Sequence, residues 1–180
     1  MNINSIKGMY DLLPAQTNNW KQVETLLHNF FGIHGYNEIR TPIVEKTDLF
    51  KRVIGEQTDI VNKEMYSWED QGGSVVALRP ELTAPVVRSY IEHNLDKLNK
   101  ITKLYYIGPA FRRERPQKGR QRQFYQYGVE SFGSEHPEQD VEIIAMAYNI
   151  LNMLGVEDLN LVINSVGSDE TKAQYANILK

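Results

Sequence analysis

The strongest chemical signal in the chain is a local reversal of charge. From Arg112 to Arg122 it reads RRERPQKGRQR, with six cations (Arg112, Arg113, Arg115, Lys118, Arg120, Arg122) against one anion, Glu114. The chain as a whole is acidic, with 20 Lys and Arg, 23 Asp and Glu and a formal net charge of -3. Its surface therefore does not attract polyanions in general, and contact with a nucleotide or nucleic acid has to be made at this cluster. Alternation along an extended strand sends Arg112 and Glu114 to one face and Arg113 and Arg115 to the other. A guanidinium is a planar, permanently charged fork that matches phosphate or carboxylate oxygens, and a neighbouring carboxylate can accept hydrogen bonds from an exocyclic amine. That pair suits a nucleotide. Lys118, Gly119 and Arg120 form a flexible basic tip able to fold over further phosphates or to touch a nucleic-acid backbone. Beyond it, Gln126, Gly128 and Glu130 share one face at period two, and Gly128 leaves room for a ligand against the backbone. Tyr125 and Tyr127 take the opposite face and read as core. On physical grounds alone a solvated surface hairpin competes evenly with this reading, because exposed ion pairs are weak and common.

Other chemistries find less support. Neither GxGxxG nor GxxxxGK[ST] occurs, so phosphate binding must use side chains. The four histidines, His28, His34, His93 and His136, lack metal-ligand spacing, and no metal site is expected. Tyr66 and Trp68 read as hairpin packing rather than base-stacking platforms.

The elements that must position the cluster follow from periodicity. After Pro14, suited to a first helical turn, Trp20, Val23, Leu27 and Phe30 or Phe31 recur at helical spacing until Gly32. Gly35 to Val44 reads as a turn leading into an extended piece, and a polar, mobile-looking stretch follows. Met65 to Trp68 and Val75 to Leu78 flank paired glycines and predict a hairpin. Pro80 and Glu81 open a helix through Val86, Val87, Tyr90 and Ile91 that ends near Asn94. Strands are expected at 104–107, 110–115 and 123–132, the last two joined by a long tip at 116–122. Residues 137–154 form a helix with an apolar face of Val141, Ile144, Ala145, Tyr148, Leu151 and Met153 stopped by Gly155, and a last strand covers 159–163. Successive hairpins with helices between them predict an α+β fold, an antiparallel β-sheet with flanking helices.

With 180 residues, 41% hydrophobic and 24% charged, the chain is expected to form one domain. It has no cysteine, which fits a reducing cytosol, and a cytoplasmic location is expected. No run of about 20 apolar residues is present to cross a bilayer, and the start lacks the apolar centre of a signal peptide.

The segment FRRERPQKGRQRQFYQYGVESFG resembles the second signature motif of class II aminoacyl-tRNA synthetases, in the wording of the histidyl-tRNA synthetases. GYNEIRTPIV, Gly35 to Val44, resembles the first class II motif, and its Pro42 is by that likeness a dimer-interface residue. KGMYDLLP and IVEKTDLFKRVIGEQTDIVNKEMYSWED are similar to the same family in the same order, and together these matches cover nearly the whole chain. The resemblance implies a partial class II catalytic core over residues 1–180 that lacks the third class II motif and the anticodon-binding domain. It implies activation of L-histidine by ATP, with accompanying Mg²⁺, and transfer to tRNA(His) by a homodimer. Carried over residue by residue, it implies that Arg112 holds the α-phosphate and the amino-acid carboxylate and is the catalytic residue. Glu114 approaches the adenine amine and Arg120 the outer phosphates. Glu81 and Thr83 meet the α-amino group of histidine. Gln126 and Glu130 complete the amino-acid pocket, with Glu130 reading an imidazole nitrogen. A site that demands this hydrogen bond rejects apolar analogues without an editing domain, because its own polar groups would be left unpaired.

The chain departs from the familiar synthetase wording at Leu82 and Pro85, where RPELTAPVV stands. A related family, the regulatory subunit of ATP phosphoribosyltransferase, often carries a bulkier residue followed by TAP there, and it is the alternative reading: a ligand-sensing partner without aminoacylation activity.

Overall fold

The computed structural model describes residues 3–164 and 167–178. Its first helix, α1 (Pro14–Ile33), begins at the proline and is fixed at its start by Gln16, whose Oε1 accepts the Leu13 N–H at 3.2 Å. Leu27, Phe30 and Phe31 are buried at a three-to-four-residue spacing, as an amphipathic stripe requires. Gly35, at φ 76°, turns the chain. The extended piece that follows divides into two short strands, β1 (Asn37–Glu38) and β2 (Val44–Lys46), which join different sheets.

The expectation of a mobile stretch after β2 is corrected. Residues 47–64 hold a helix, α2 (Thr47–Ile54), and a π-helical turn (Ile60–Glu64). The polar appearance of this segment hid Phe50, which is fully buried with Met65, Ala77 and Ala84 in one core cluster. The predicted hairpin is present as β3 (Tyr66–Glu69) and β4 (Val75–Leu78), paired in the order β2-β4-β3, antiparallel throughout. Trp68, at the hairpin, remains 44% exposed.

Helix α3 (Thr83–Glu92) starts two residues later than its acidic signal, because Glu81 acts from outside the helix. Its carboxylate accepts the N–H groups of Thr83, at 2.5 Å, and Ala84, at 2.9 Å, two donors that have no partner within the first turn. A single ten-residue strand, β5 (Thr102–Phe111), replaces the two strands expected at 104–107 and 110–115. Gly108 and Pro109 do not interrupt it, while Arg112 to Arg115 lie beyond it. It pairs antiparallel along its whole length with β6 (Gln123–Phe132), and Asn37 and Glu38 of β1 run parallel to Leu104 and Tyr105 on its other side. The sheet order is β1-β5-β6.

This sheet has two unlike faces. On one, Leu104, Tyr106 and Ala110 of β5 pack with Leu82, just before α3, and Val86 within it, joined by Phe124 and Phe132. On the other, Tyr105 stacks against Phe31 at 4.8 Å between ring centroids and Trp20 meets Tyr125 at 4.7 Å, so α1 covers that face. Tyr125 and Tyr127 were expected to be core. Each is 39% exposed, and they lie against α1 at its margin.

By its internal contacts the chain forms two compact units, residues 1–143 and 144–180. Helix α4 (Pro137–Met153) runs across that division. Its buried side chains are Met146 and Ile150, four residues apart, while Val141 and Met153 of the expected face are 64% and 55% exposed. The strand expected at 159–163 is absent: Leu161, Val162 and Ile163 are exposed, and no described residue offers them a ladder. A last helix, α5 (Asp169–Ile178), was not anticipated.

Candidate active site

The basic hairpin is built by continuing the β5–β6 ladder one step, through the Arg112 N–H donating to the Arg122 carbonyl at 2.9 Å. Beyond that the strand pairing lapses, yet side-chain burial still alternates: Arg112 and Glu114 are partly buried, Arg113 and Arg115 exposed. The predicted division of faces therefore holds without a strand to enforce it. The tip is a tight turn in which Arg120 N–H donates to the Gln117 carbonyl at 2.9 Å and Gly119 takes φ 80°. The amino-terminal segment lies beside it. The Gly8 carbonyl accepts N–H groups from Arg122, at 2.8 Å, and Gln123, at 3.2 Å. Gly8 itself, at φ 87°, sits so close to Pro116 that a Cβ would come within 2.9 Å of its ring.

Arg112 is the best-fixed side chain of the cluster. Its Nε donates to the Pro80 carbonyl at 2.9 Å, its guanidinium lies 5.1 Å from the Phe124 ring centroid, and its Nη1 is 3.9 Å from Glu114 Oε1. The Pro80 contact ties the hairpin to the segment that opens α3, so Arg112 and the pair Glu81 and Thr83 are brought to one region. Glu114 stands between two guanidiniums, with Arg120 Nη1 donating to its Oε2 at 2.9 Å. Arg120 is 64% exposed, so this pair is weakly held and its partner is free to leave for a better anion.

The second group of predicted residues meets on the α3 face of the sheet. Glu130 and Thr83 approach one phenol, that of Tyr106, which lies 3.4 Å from Glu130 Oε1 and 3.4 Å from Thr83 Oγ1. Burial pushes the Glu130 carboxyl above the ordinary carboxylate range, and the nearby Glu81 charge adds to this. Hydrogen bonds from Thr83 and Tyr106 oppose the rise. Burial likewise pushes the Tyr106 hydroxyl up to about 12.

One expectation about this floor changes. The space over Gly128 is not open for a ligand: the Tyr106 ring occupies it, and a Cβ there would stand 2.5 Å from its Cζ. Gln126 faces the same side as Glu130, opposite Gly108 across the ladder, but among the described residues no side chain hydrogen-bonds it. A cleft of about 1060 Å³ between α2 and α3 contains none of the predicted site residues.

Sequence reasoning missed Tyr106 and Arg79. Tyr106 stands opposite Gly128 through the β5–β6 register, which the strand period alone does not supply. Arg79 is 4% exposed and donates to the carbonyls of Pro109, at 2.8 Å, and Thr41, at 2.9 Å, with longer contacts to Thr41 Oγ1 and the Pro42 carbonyl. Burial lowers its pKa from the ordinary arginine value. It joins three segments that carry or flank the site, and only their folding together reveals it. The departures Leu82 and Pro85 are both buried, and Leu82 belongs to the core cluster that holds Tyr106.

The profile of the family described as histidyl-tRNA synthetase matches residues 8–174. The chain belongs to the histidyl-tRNA synthetase family. The Histidine--tRNA ligase of Solibacter usitatus is 53% identical over 178 residues, 99% of this chain and 43% of the relative. That of Macrococcus caseolyticus is 51% identical over 180 residues, again 43% of its length. The chain thus spans less than half the length of the curated histidyl-tRNA synthetases it matches. The crystal structure of apo S. aureus histidyl-tRNA synthetase superposes with a TM-score of 0.81 at 41% identity, covering 99% of this chain and 41% of that one. This establishes the α+β fold with its antiparallel sheet and flanking helices as that of a class II catalytic core. A structure from Bacillus halodurans, described as an ATP phosphoribosyltransferase regulatory subunit/histidyl-tRNA synthetase, has a TM-score of 0.74 at 26% identity over 88% of this chain. With ligases near half identical, the regulatory-subunit alternative is the less supported.

Proposed function

We propose that the complete protein carrying this chain is a histidine–tRNA ligase, which activates L-histidine with ATP to histidyl-adenylate and transfers the histidyl group to tRNA(His). The observation that carries this reading is the placement of Arg112, fixed by Pro80 and Phe124 beside Glu114 and on the strand face that leads to Glu130.

In this reading Arg112 binds the α-phosphate and the histidine carboxylate. A carboxylate oxygen attacks the α-phosphorus in line, the bond from that phosphorus to the bridging oxygen breaks, and pyrophosphate leaves with the electron pair. A guanidinium already held in place stabilises the charge that grows on the phosphorus oxygens without having to reorganise. Glu114 accepts from the adenine amine, which requires Arg120 to exchange its present carboxylate partner for the outer phosphates. Glu81 and Thr83 receive the α-amino group, and Gln126 and Glu130 the rest of the amino acid, with Glu130 accepting from an imidazole nitrogen. In this reading Mg²⁺ accompanies the triphosphate and balances its charge. No described helix is long and apolar enough to cross a membrane. A homodimer acting in the cytoplasm on tRNA(His) completes the proposal.

Histidine-dependent exchange of pyrophosphate into ATP by the complete protein tests it. Arg112→Gln is expected to lower exchange by about 100-fold or more, the scale for losing one preorganised charge-stabilising group. Exchange that survives nearly intact rules out the α-phosphate role. No exchange with the unaltered protein would turn the assignment to the regulatory alternative.

A further inference from the structure

Tyr106 belongs to no group assigned above, yet it is the point where two of them meet. It is 8% exposed and packed in the core cluster with Leu82, Val86, Leu104 and Ala110. The glycine across the ladder leaves the space its ring occupies, since a Cβ at Gly128 would stand within 2.9 Å of Cε2 and nearer still to Cζ. A buried phenol of this kind needs a hydrogen-bond partner. It has two, Thr83 Oγ1 and Glu130 Oε1, each at 3.4 Å, the long end of hydrogen-bond range.

We propose that Tyr106 is a positioning residue for histidine recognition: its hydroxyl, seated over Gly128 between Thr83 and Glu130, fixes the Glu130 carboxylate as a hydrogen-bond acceptor for the substrate imidazole. The inference rests on the reading that Glu130 meets the imidazole. The direction of the chain follows from its donors. Tyr106 O–H donates to Glu130, Thr83 Oγ1 lies against the same phenol oxygen, and the remaining lone pairs of the carboxylate face an imidazole N–H. A protonated Glu130 would reverse the last link and present a donor instead. Such networks are often long before a substrate closes the site, and both contacts have room to tighten. The titratable groups that bear on Glu130 among the described residues are Tyr106 from β5 and Glu81 ahead of α3. Burial and the Glu81 charge favour the protonated form, and the hydrogen bonds from Thr83 and Tyr106 oppose them. Tyr106 remains a donor at any working pH, its own hydroxyl being pushed by burial up to about 12.

The test uses the complete protein and the variants Tyr106→Phe and Glu130→Gln, with KM and kcat for histidine in pyrophosphate exchange followed across pH. Tyr106→Phe keeps the ring and loses only the hydroxyl. It is expected to raise KM for histidine about 3- to 10-fold with kcat little changed, the scale of one ordinary hydrogen bond. It is also expected to move the acid limb of kcat/KM to higher pH, because the ionised carboxylate has lost a donor. Free histidine titrates identically in both assays, so the displacement belongs to the enzyme. A merely structural tyrosine would alter stability without moving that limb. Should Tyr106→Phe fail to fold, Gly128→Ala, which pushes the hydroxyl away from Glu130, is expected to move the limb the same way. An unmoved limb with an unchanged KM overturns the inference. If Glu130→Gln raises KM while Tyr106→Phe does not, Tyr106 alone is misassigned. If Glu130→Gln also leaves KM unchanged, the pocket reading beneath it fails as well.

Discussion

Replacing Arg79 tests whether the site is held together by one buried cation. Arg79→Met has similar volume but no donors, so the carbonyls of Pro109 and Thr41 lose bonds of 2.8 and 2.9 Å. Each buried acceptor left without a partner costs about 1–3 kcal/mol, giving about 2–6 kcal/mol for the two, while the contact to Pro42 at 3.4 Å is too long to add much. Against this, the substitution relieves the burial of a guanidinium, the burden that also lowers its pKa. A net loss of about 2–4 kcal/mol is expected, a large part of the stability of an ordinary domain. Urea unfolding of the chain followed by tryptophan fluorescence reads it as a lowered midpoint. A second variant isolates the geometry. A Cβ at Gly108 would stand 2.6 Å from Arg79 Nη2, so Gly108→Ala is expected to destabilise the protein by displacing that guanidinium. In the double variant this part of the cost disappears, leaving a coupling of about 1–2 kcal/mol. An Arg79→Met midpoint indistinguishable from the unaltered chain, or strictly additive variants, would refute the clamp.

Gly133→Ala is expected to cost about 1–3 kcal/mol, since Gly133 sits at φ 91° with its missing Cβ directed into the Lys100 carbonyl oxygen, and a lowered melting temperature checks it. Glu130 titrates above its ordinary range in the folded chain, so its contribution to stability is fully present below the unfolded pKa and is lost as pH rises through the folded one. Glu130→Gln is therefore expected to gain relative stability as pH climbs from about 4 to about 8, and urea midpoints that stay parallel across that range contradict it. The isolated 180 residues are expected to form no histidyl-tRNA, with measurable charging by this chain alone as the contrary result.

Local chemistry was enough to predict α1 from Pro14 and its apolar spacing, the 66–78 hairpin from its paired glycines, and the alternation of Arg112, Glu114, Gln126 and Glu130 from period two. Each depends on neighbours within a few residues. The failures share a cause. Helix α2 was hidden because its polar sequence buries one decisive side chain, Phe50, against partners far along the chain. The separate strands expected around Gly108 and Pro109 became one because the β6 ladder and Arg79 support that backbone from outside. The strand expected at 159–163 did not form, since an apolar run needs a partner to pair with.

Which side chains are candidates to meet a nucleotide and an amino acid could be read along the chain, because charge, donor geometry and strand period are properties of the residues. What those side chains touch came only with the folded structure. It closed the space over Gly128 with Tyr106, seated Glu130 and Thr83 on that phenol, and held Arg112 to Pro80. These contacts join residues 22 to 32 positions apart. The glycine beneath the aromatic ring is fixed by the β5–β6 register, and the guanidinium against the carbonyl by how the segment before α3 meets the hairpin, and neither leaves a period in the chain to reveal it.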